Sequence, residues 1–140
     1  MRILFADKFP ETAVAELKHK GHNCVLQPDL NIDELDSVLA EYDVLVVRST
    51  QVTKKAIEAG KSLKMIIRAG TGTNTIDKDA AAARGIYVCN VPGRNAAAVA
   101  ELAIGLLIAI DRNIPDNVKA LRQGKWNKKR FSVAVGLKGR

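Results

Sequence analysis

The chain has 140 residues, room for one domain of ordinary size and a short extension, and its 47% hydrophobic and 26% charged residues are those of a globular protein rather than a disordered or fibrous one. Aromatics make up only 4%, so the core is expected to be aliphatic and alanine-rich. The formal charge of +7 is confined to the end of the chain: residues 111–140 hold 9 Lys or Arg against 2 Asp or Glu, while 1–110 balance at 13 of each, which argues against nucleic-acid binding by the main domain.

In chain order, apolar strand-like runs alternate with helical patterns. Ile3–Ala6 reads as a strand, followed by a helix over Glu11–Lys20 with Val14 and Leu17 on one face. His22–Gln27 is a second strand, and Ile32, Leu35, Val38 and Leu39 repeat at the spacing of an amphipathic helix. Asp43–Val47 is the third strand, followed by a helix from Lys54 to Ala59 that Gly60 is expected to stop. Lys64–Ala69 and Ile86–Asn90 are the fourth and fifth strands, with a helix over Asp77–Arg84 between them, ended by Gly85.

Strands without internal alternation, separated by helices, predict an α/β fold: a flavodoxin-like, parallel five-stranded sheet with helices on both faces. After Val91-Pro92-Gly93 the pattern changes to a long apolar helix over Asn95–Ile110, then a more polar helix from Pro115 to near Gly124. A weak strand is expected at Phe131–Val135. The domain division is therefore 1–93 and 94–140.

Ala96–Ile110 is short for a bilayer span and carries Glu101, so no membrane segment is expected. The chain starts directly with a strand pattern, and Cys24 and Cys89 lie in apolar runs without C-x-x-C spacing. Buried, reduced thiols and a cytoplasmic location are expected, with no metal.

The most informative segment is Arg68-Ala69-Gly70-Thr71-Gly72, directly after Met65-Ile66-Ile67. Glycines let a backbone turn sharply and bring N–H groups near a ligand, and an arginine adds a fixed charge. Arg48 ends the run Val44-Leu45-Val46-Val47 in the same way. Two strands ending in arginine predict a small carboxylate or phosphate ligand at the strand carboxyl ends, where open α/β sheets bind ligands. Ser49 adds a hydroxyl there or caps the next helix. The amides of Gly70, Thr71 and Gly72 are expected to face the anion, and Asn95 to cap the long helix.

These residues carry a resemblance. Val47-Arg48-Ser49, Val52-Thr53, Arg68-Ala69-Gly70-Thr71-Gly72, Gly85-Ile86-Tyr87-Val88-Cys89-Asn90, Asn95, Ala100-Glu101-Leu102 and Gly124-Lys125-Trp126 occur in the order found in the D-isomer-specific 2-hydroxyacid dehydrogenases. The chain resembles the N-terminal, substrate-binding portion of that family, with Asn95–Ile110 matching the crossover helix into a nucleotide-binding domain. One departure is Thr73-Asn74-Thr75, where many relatives carry Val-Asp-Asn.

The resemblance implies an NAD-dependent oxidoreductase acting on a small anionic D-2-hydroxy acid, with 3-phosphoglycerate, the entry to serine formation, as the expected substrate. It implies substrate contacts from Arg48, Ser49, Arg68, Gly70, Thr71, Gly72 and Asn95, an approach of Thr71 to the nicotinamide, and a homo-oligomer. The family's catalytic histidine, carboxylate and arginine and its Gly-x-Gly-x-x-Gly loop have no match in this sequence, so the chain alone is expected to be inactive. Gly70-Thr71-Gly72 lacks the third glycine of that fingerprint. The alternative is a free-standing flavodoxin-like anion-binding module without catalysis. A third reading, nucleic-acid binding through Lys125–Phe131, is disfavoured by the balanced charge of the first 110 residues.

Overall fold

The computed structural model describes residues 1–139, so Arg140, the last residue of the expected second domain, lies outside the described residues. The chain forms two compact units, Met1–Arg94 and one that begins at Asn95.

In the first unit the strands are β1 (Arg2–Phe5), β2 (Asn23–Leu26), β3 (Val44–Val47), β4 (Met65–Arg68) and β5 (Tyr87–Asn90), in one parallel sheet of order β2-β1-β3-β4-β5. This is the flavodoxin-like layout that the alternation implies. Successive parallel strands need a crossover, and the helices α1 (Glu11–His19), α2 (Ile32–Val38), α3 (Lys54–Ala59) and α4 (Lys78–Ala83) supply it. The register pairs Val47 with Arg68 and Arg68 with Asn90, so the polar ends of three strands lie side by side at one edge.

Central β3 is buried at every residue, the mark of a parallel strand covered on both faces. One face carries Leu4, Leu45, Val47 and Ile66, packed against Leu35 of α2, Ala56 and Ile57 of α3 and Ala81 of α4. The other carries Ile3, Phe5, Cys24, Val44 and Val46, packed against Val14 and Leu17 of α1. Leu4, Leu45 and Ile66 are fully buried, each contributing about 1.5–3 kcal/mol over an exposed position. Both faces carry helices, but unequally.

Local chemistry sets the helix ends. Asn31 caps α2 in a reciprocal box with Glu34, Thr53 Oγ1 accepts from Ala56 N–H at 3.2 Å, and Asp77 Oδ1 accepts from Ala80 N–H at 3.0 Å. Gly85 ends α4 with φ of 67°, a left-handed conformation that favours glycine. Gly60 ends α3 for a different reason: it is buried, and a Cβ there would lie 3.1 Å from Leu63 and 3.2 Å from Leu39. The Arg84 guanidinium donates to the carbonyls of Ile57 and Gly60, holding the end of α3. Cys24 is buried as expected, whereas Cys89 is only half-buried because β5 is an edge strand; both are free thiols.

The second unit contains α5 (Ala96–Asp111), α6 (Ile114–Arg122) and α7 (Lys128–Phe131). Asn95 stands at the N-cap position of α5, but its side chain makes no cap hydrogen bond; its carbonyl accepts from Val99 N–H at 3.0 Å. The backbone explains the difference: φ −107° and ψ 10° depart from the extended conformation in which Asn31, Thr53 and Asp77 cap their helices. The strand expected at Phe131–Val135 does not form. Phe131 instead closes α7, capped by Asn127 Oδ1 accepting from Arg130 N–H at 3.0 Å, and the Asp111 carboxylate takes the N–H groups of Val135 and Gly136 at 3.1 and 3.0 Å. No helix among the described residues is long and apolar enough to cross a membrane.

Candidate functional site

The carboxyl edge of the sheet gathers Arg48, Ser49, Arg68, Gly70, Thr71 and Gly72 within one unit. Arg68 is the last residue of β4 and Arg48 the first beyond β3, on neighbouring strands. Arg68 Nε donates to the Arg48 carbonyl at 3.1 Å. Neither guanidinium forms a salt bridge with another described residue. Arg48 is exposed and Arg68 half-buried, so two cationic groups stand at one edge without carboxylate partners.

Gly70 is required by the Arg68 side chain. A Cβ at Gly70 would collide with the Arg68 guanidinium, so the bare backbone lets the charge lie across the loop. Its amide, expected to face the anion, donates to the Arg68 carbonyl at 2.8 Å in a tight turn. The loop is held from β5: Asn90 Nδ2 donates to the Thr71 carbonyl at 2.6 Å, and Val91 N–H to the Gly70 carbonyl at 3.0 Å. Thr71 and Gly72 are exposed at its tip. Ser49 is exposed and does not cap α3, a role taken by Thr53. Asn95 belongs to the second unit.

Two residues have roles at this edge that the sequence does not reveal. Asp7, at the end of β1, bonds the main chain after β3, and Asn90 anchors the glycine loop. The available signal was position alone: both are polar residues at carboxyl ends of strands in the same sheet as Arg48 and Arg68.

A dinucleotide pyrophosphate calls for Gly-x-Gly-x-x-Gly turning from a strand directly into a helix. Gly70-Thr71-Gly72 leads instead into Thr73–Ile76 and the six-residue α4, whose Ala80 amide is already taken by Asp77. This loop therefore does not form the pyrophosphate-binding turn of that fingerprint. Nor do any three or more described His, Cys, Asp or Glu cluster to hold a metal ion.

An open parallel sheet of order β2-β1-β3-β4-β5 with helices on both faces defines the class: a flavodoxin-like α/β domain. Residues 3–134 match the family described as D-isomer specific 2-hydroxyacid dehydrogenase, catalytic domain, and the chain belongs to that family. It is 38% identical over 141 residues to D-3-phosphoglycerate dehydrogenase of Archaeoglobus fulgidus, covering 100% of this chain and 27% of the relative. It is 46% identical over 129 residues to hydroxypyruvate reductase of Thermotoga maritima, covering 91% of this chain and 42% of the relative. Among solved structures, the NAD-dependent formate dehydrogenase of Staphylococcus aureus in complex with NAD superimposes with a TM-score of 0.82 at 27% identity, over 94% of this chain and 45% of that one. The chain thus spans between 27% and 42% of the length of these two curated relatives.

Proposed function

We propose that this chain is the substrate-binding portion of an NAD-dependent oxidoreductase that oxidises the 2-hydroxyl of a small D-2-hydroxy acid, with 3-phosphoglycerate as substrate and serine formation as its context. The observation that carries this reading is the pair Arg48 and Arg68 on adjacent strand ends, the Arg68 side chain donating to the Arg48 carbonyl, with no carboxylate partner for either guanidinium among the described residues. 3-Phosphoglycerate carries two anionic groups on a three-carbon frame, and guanidinium groups hold carboxylate and phosphate by charge-assisted, paired hydrogen bonds. Ser49, Thr71 and Gly72 would line the same edge, and holding both ends of the substrate fixes its C2 for reaction.

NAD supplies the hydride acceptor when bound. No hydride-transfer step is assigned to this chain's residues, and Thr71 alone is proposed to approach the nicotinamide. The chain mixed with substrate and NAD is therefore expected to produce no reduced nicotinamide. The large apolar residues exposed on α5, including Leu102, Ile104 and Ile110, support a homo-oligomer. Sedimentation is expected to show self-association of the chain, and a monodisperse monomer would remove that part of the reading.

Titration calorimetry of the chain with 3-phosphoglycerate and with D-glycerate tests the substrate. The phosphorylated acid is expected to bind about tenfold more tightly, the worth of one charge-assisted contact. Equal affinities would shift the assignment to an unphosphorylated acid, consistent with the likeness to a hydroxypyruvate reductase. No binding of either would remove the substrate-binding role.

A further inference from the structure

Asp7 has no place in the proposed function so far, yet it makes the densest set of side-chain hydrogen bonds at this edge. It follows β1 and is half-buried. Its Oδ2 accepts from the main-chain N–H groups of Arg48 at 2.6 Å, Ser49 at 3.1 Å and Thr50 at 3.2 Å. Successive amides converging on one oxygen form the concave donor arrangement that binds free anions. In this chain a side chain fills it, so those amides are not where a substrate anion binds. Thr50 Oγ1 adds a second tie, donating to the Ala6 carbonyl at 3.1 Å.

The peptide plane between Arg48 and Ser49 connects Asp7 to Arg68. Its N–H, from Ser49, points to the Asp7 carboxylate; its C=O, from Arg48, accepts from Arg68 Nε at 3.1 Å. No cis peptide bond is present among the described residues, and in a trans peptide N–H and C=O point in opposite directions. Fixing one therefore aims the other, and a charge on the N–H side polarises the carbonyl as an acceptor.

We propose that Asp7 is a positioning residue for Arg68: through the Arg48–Ser49 peptide it holds the guanidinium across Gly70, ready for the substrate anion. This rests on the substrate-binding role proposed above. Asp7 does not touch the substrate; it sets the angle of a side chain that does.

The test is a double-mutant cycle on the full chain, with 3-phosphoglycerate as the probe. Asp7→Ala is expected to weaken binding by about tenfold, the loss of one charge-assisted contact at Arg68, and Asp7→Asn by less, since an oxygen acceptor remains. In an Arg68→Lys background, which has no Nε donor, the same Asp7 changes are expected to cost almost nothing further. Sodium formate, which can refill the emptied amide cluster, is expected to restore binding to Asp7→Ala where sodium chloride at equal ionic strength does not.

An equal loss in both backgrounds would make Asp7 a general stabiliser and overturn the inference. So would unchanged affinity in Asp7→Ala. If Asp7→Ala fails to fold, Asp7→Asn carries the same cycle. Should the unmutated chain bind no 2-hydroxy acid, the substrate role fails, and the tie is judged by nitrogen-15 resonances alone. A shift of the Arg68 Nε–H signal in Asp7→Asn would support it, and an unmoved signal would overturn it.

Discussion

At the amino edge of the sheet, Arg2 pairs with Glu41 at 2.8 Å, Lys64 pairs with Asp43 at 3.3 Å, and the Asp43 carboxylate also accepts the Arg2 N–H at 2.8 Å. At the carboxyl edge, Arg48 and Arg68 have no carboxylate partner among the described residues, and the nearby acid Asp7 is turned onto backbone amides instead. The same strands end in paired charges on one side and unpaired cations on the other. Pairing closes the amino edge to ligands, and its exposed ion pairs add little stability. Leaving guanidinium groups without partners costs little at a hydrated edge and keeps them available for an anion. The difference separates an edge closed by ion pairs from one whose cations are open to the proposed substrate, without recourse to any glycine motif.

The largest expected effect is at Arg68. Arg68→Ala is expected to weaken 3-phosphoglycerate binding by about tenfold to a hundredfold, the range for a lost charged hydrogen bond, and to change stability by less than about 1 kcal/mol. Calorimetric titration and thermal unfolding on the same preparation separate the two. A stability loss with unchanged affinity would reduce Arg68 to a loop brace. Gly70→Ala comes next. Its Cβ would displace the guanidinium, whose end is flexible, so affinity is expected to fall by about tenfold with little loss of stability. Unaltered binding in Gly70→Ala would mean that the guanidinium acts from a different position.

Much of this contrast is legible in the sequence, and the rest fails for identifiable reasons. The strands, α1 to α4 and the caps at Thr53 and Asp77 depend on neighbours a few residues away, so periodicity and cap chemistry find them. Arg48 and Arg68 are legible because a charge directly after an apolar run must lie at a sheet edge. Asp7 is not legible as a loop anchor, because its amide partners lie more than 40 residues away and no local pattern encodes them. Asn95 has the right residue type for a cap and the wrong backbone angles. Val133 and Val135 have strand propensity but stand exposed, and Asp111 takes the amides of Val135 and Gly136. Gly60 ends α3 by close packing with Leu39 and Leu63, a tertiary fact behind a local signal.

The amino edge supplies the controls, with the smallest effects. Arg2→Ala removes an exposed ion pair and is expected to shift stability by less than about 1 kcal/mol, with no change in substrate affinity. A loss of affinity there would break the division between the edges.

Asp43 gives the finest test. The Arg2 N–H, and after it Lys64, hold its carboxyl below its usual value of 3.8 by bonding to the charged form. The folded state thus favours the ionised acid, so this contribution to stability is complete above about pH 4 and is lost as pH falls through the lowered value. Asp43→Asn is expected to flatten the acid side of the stability profile, differing from the unmutated chain at neutral pH and converging with it in strong acid. Urea midpoints measured across that range check this. If the variant's midpoint falls as steeply as that of the unmutated chain, the acid sensitivity belongs to other carboxylates.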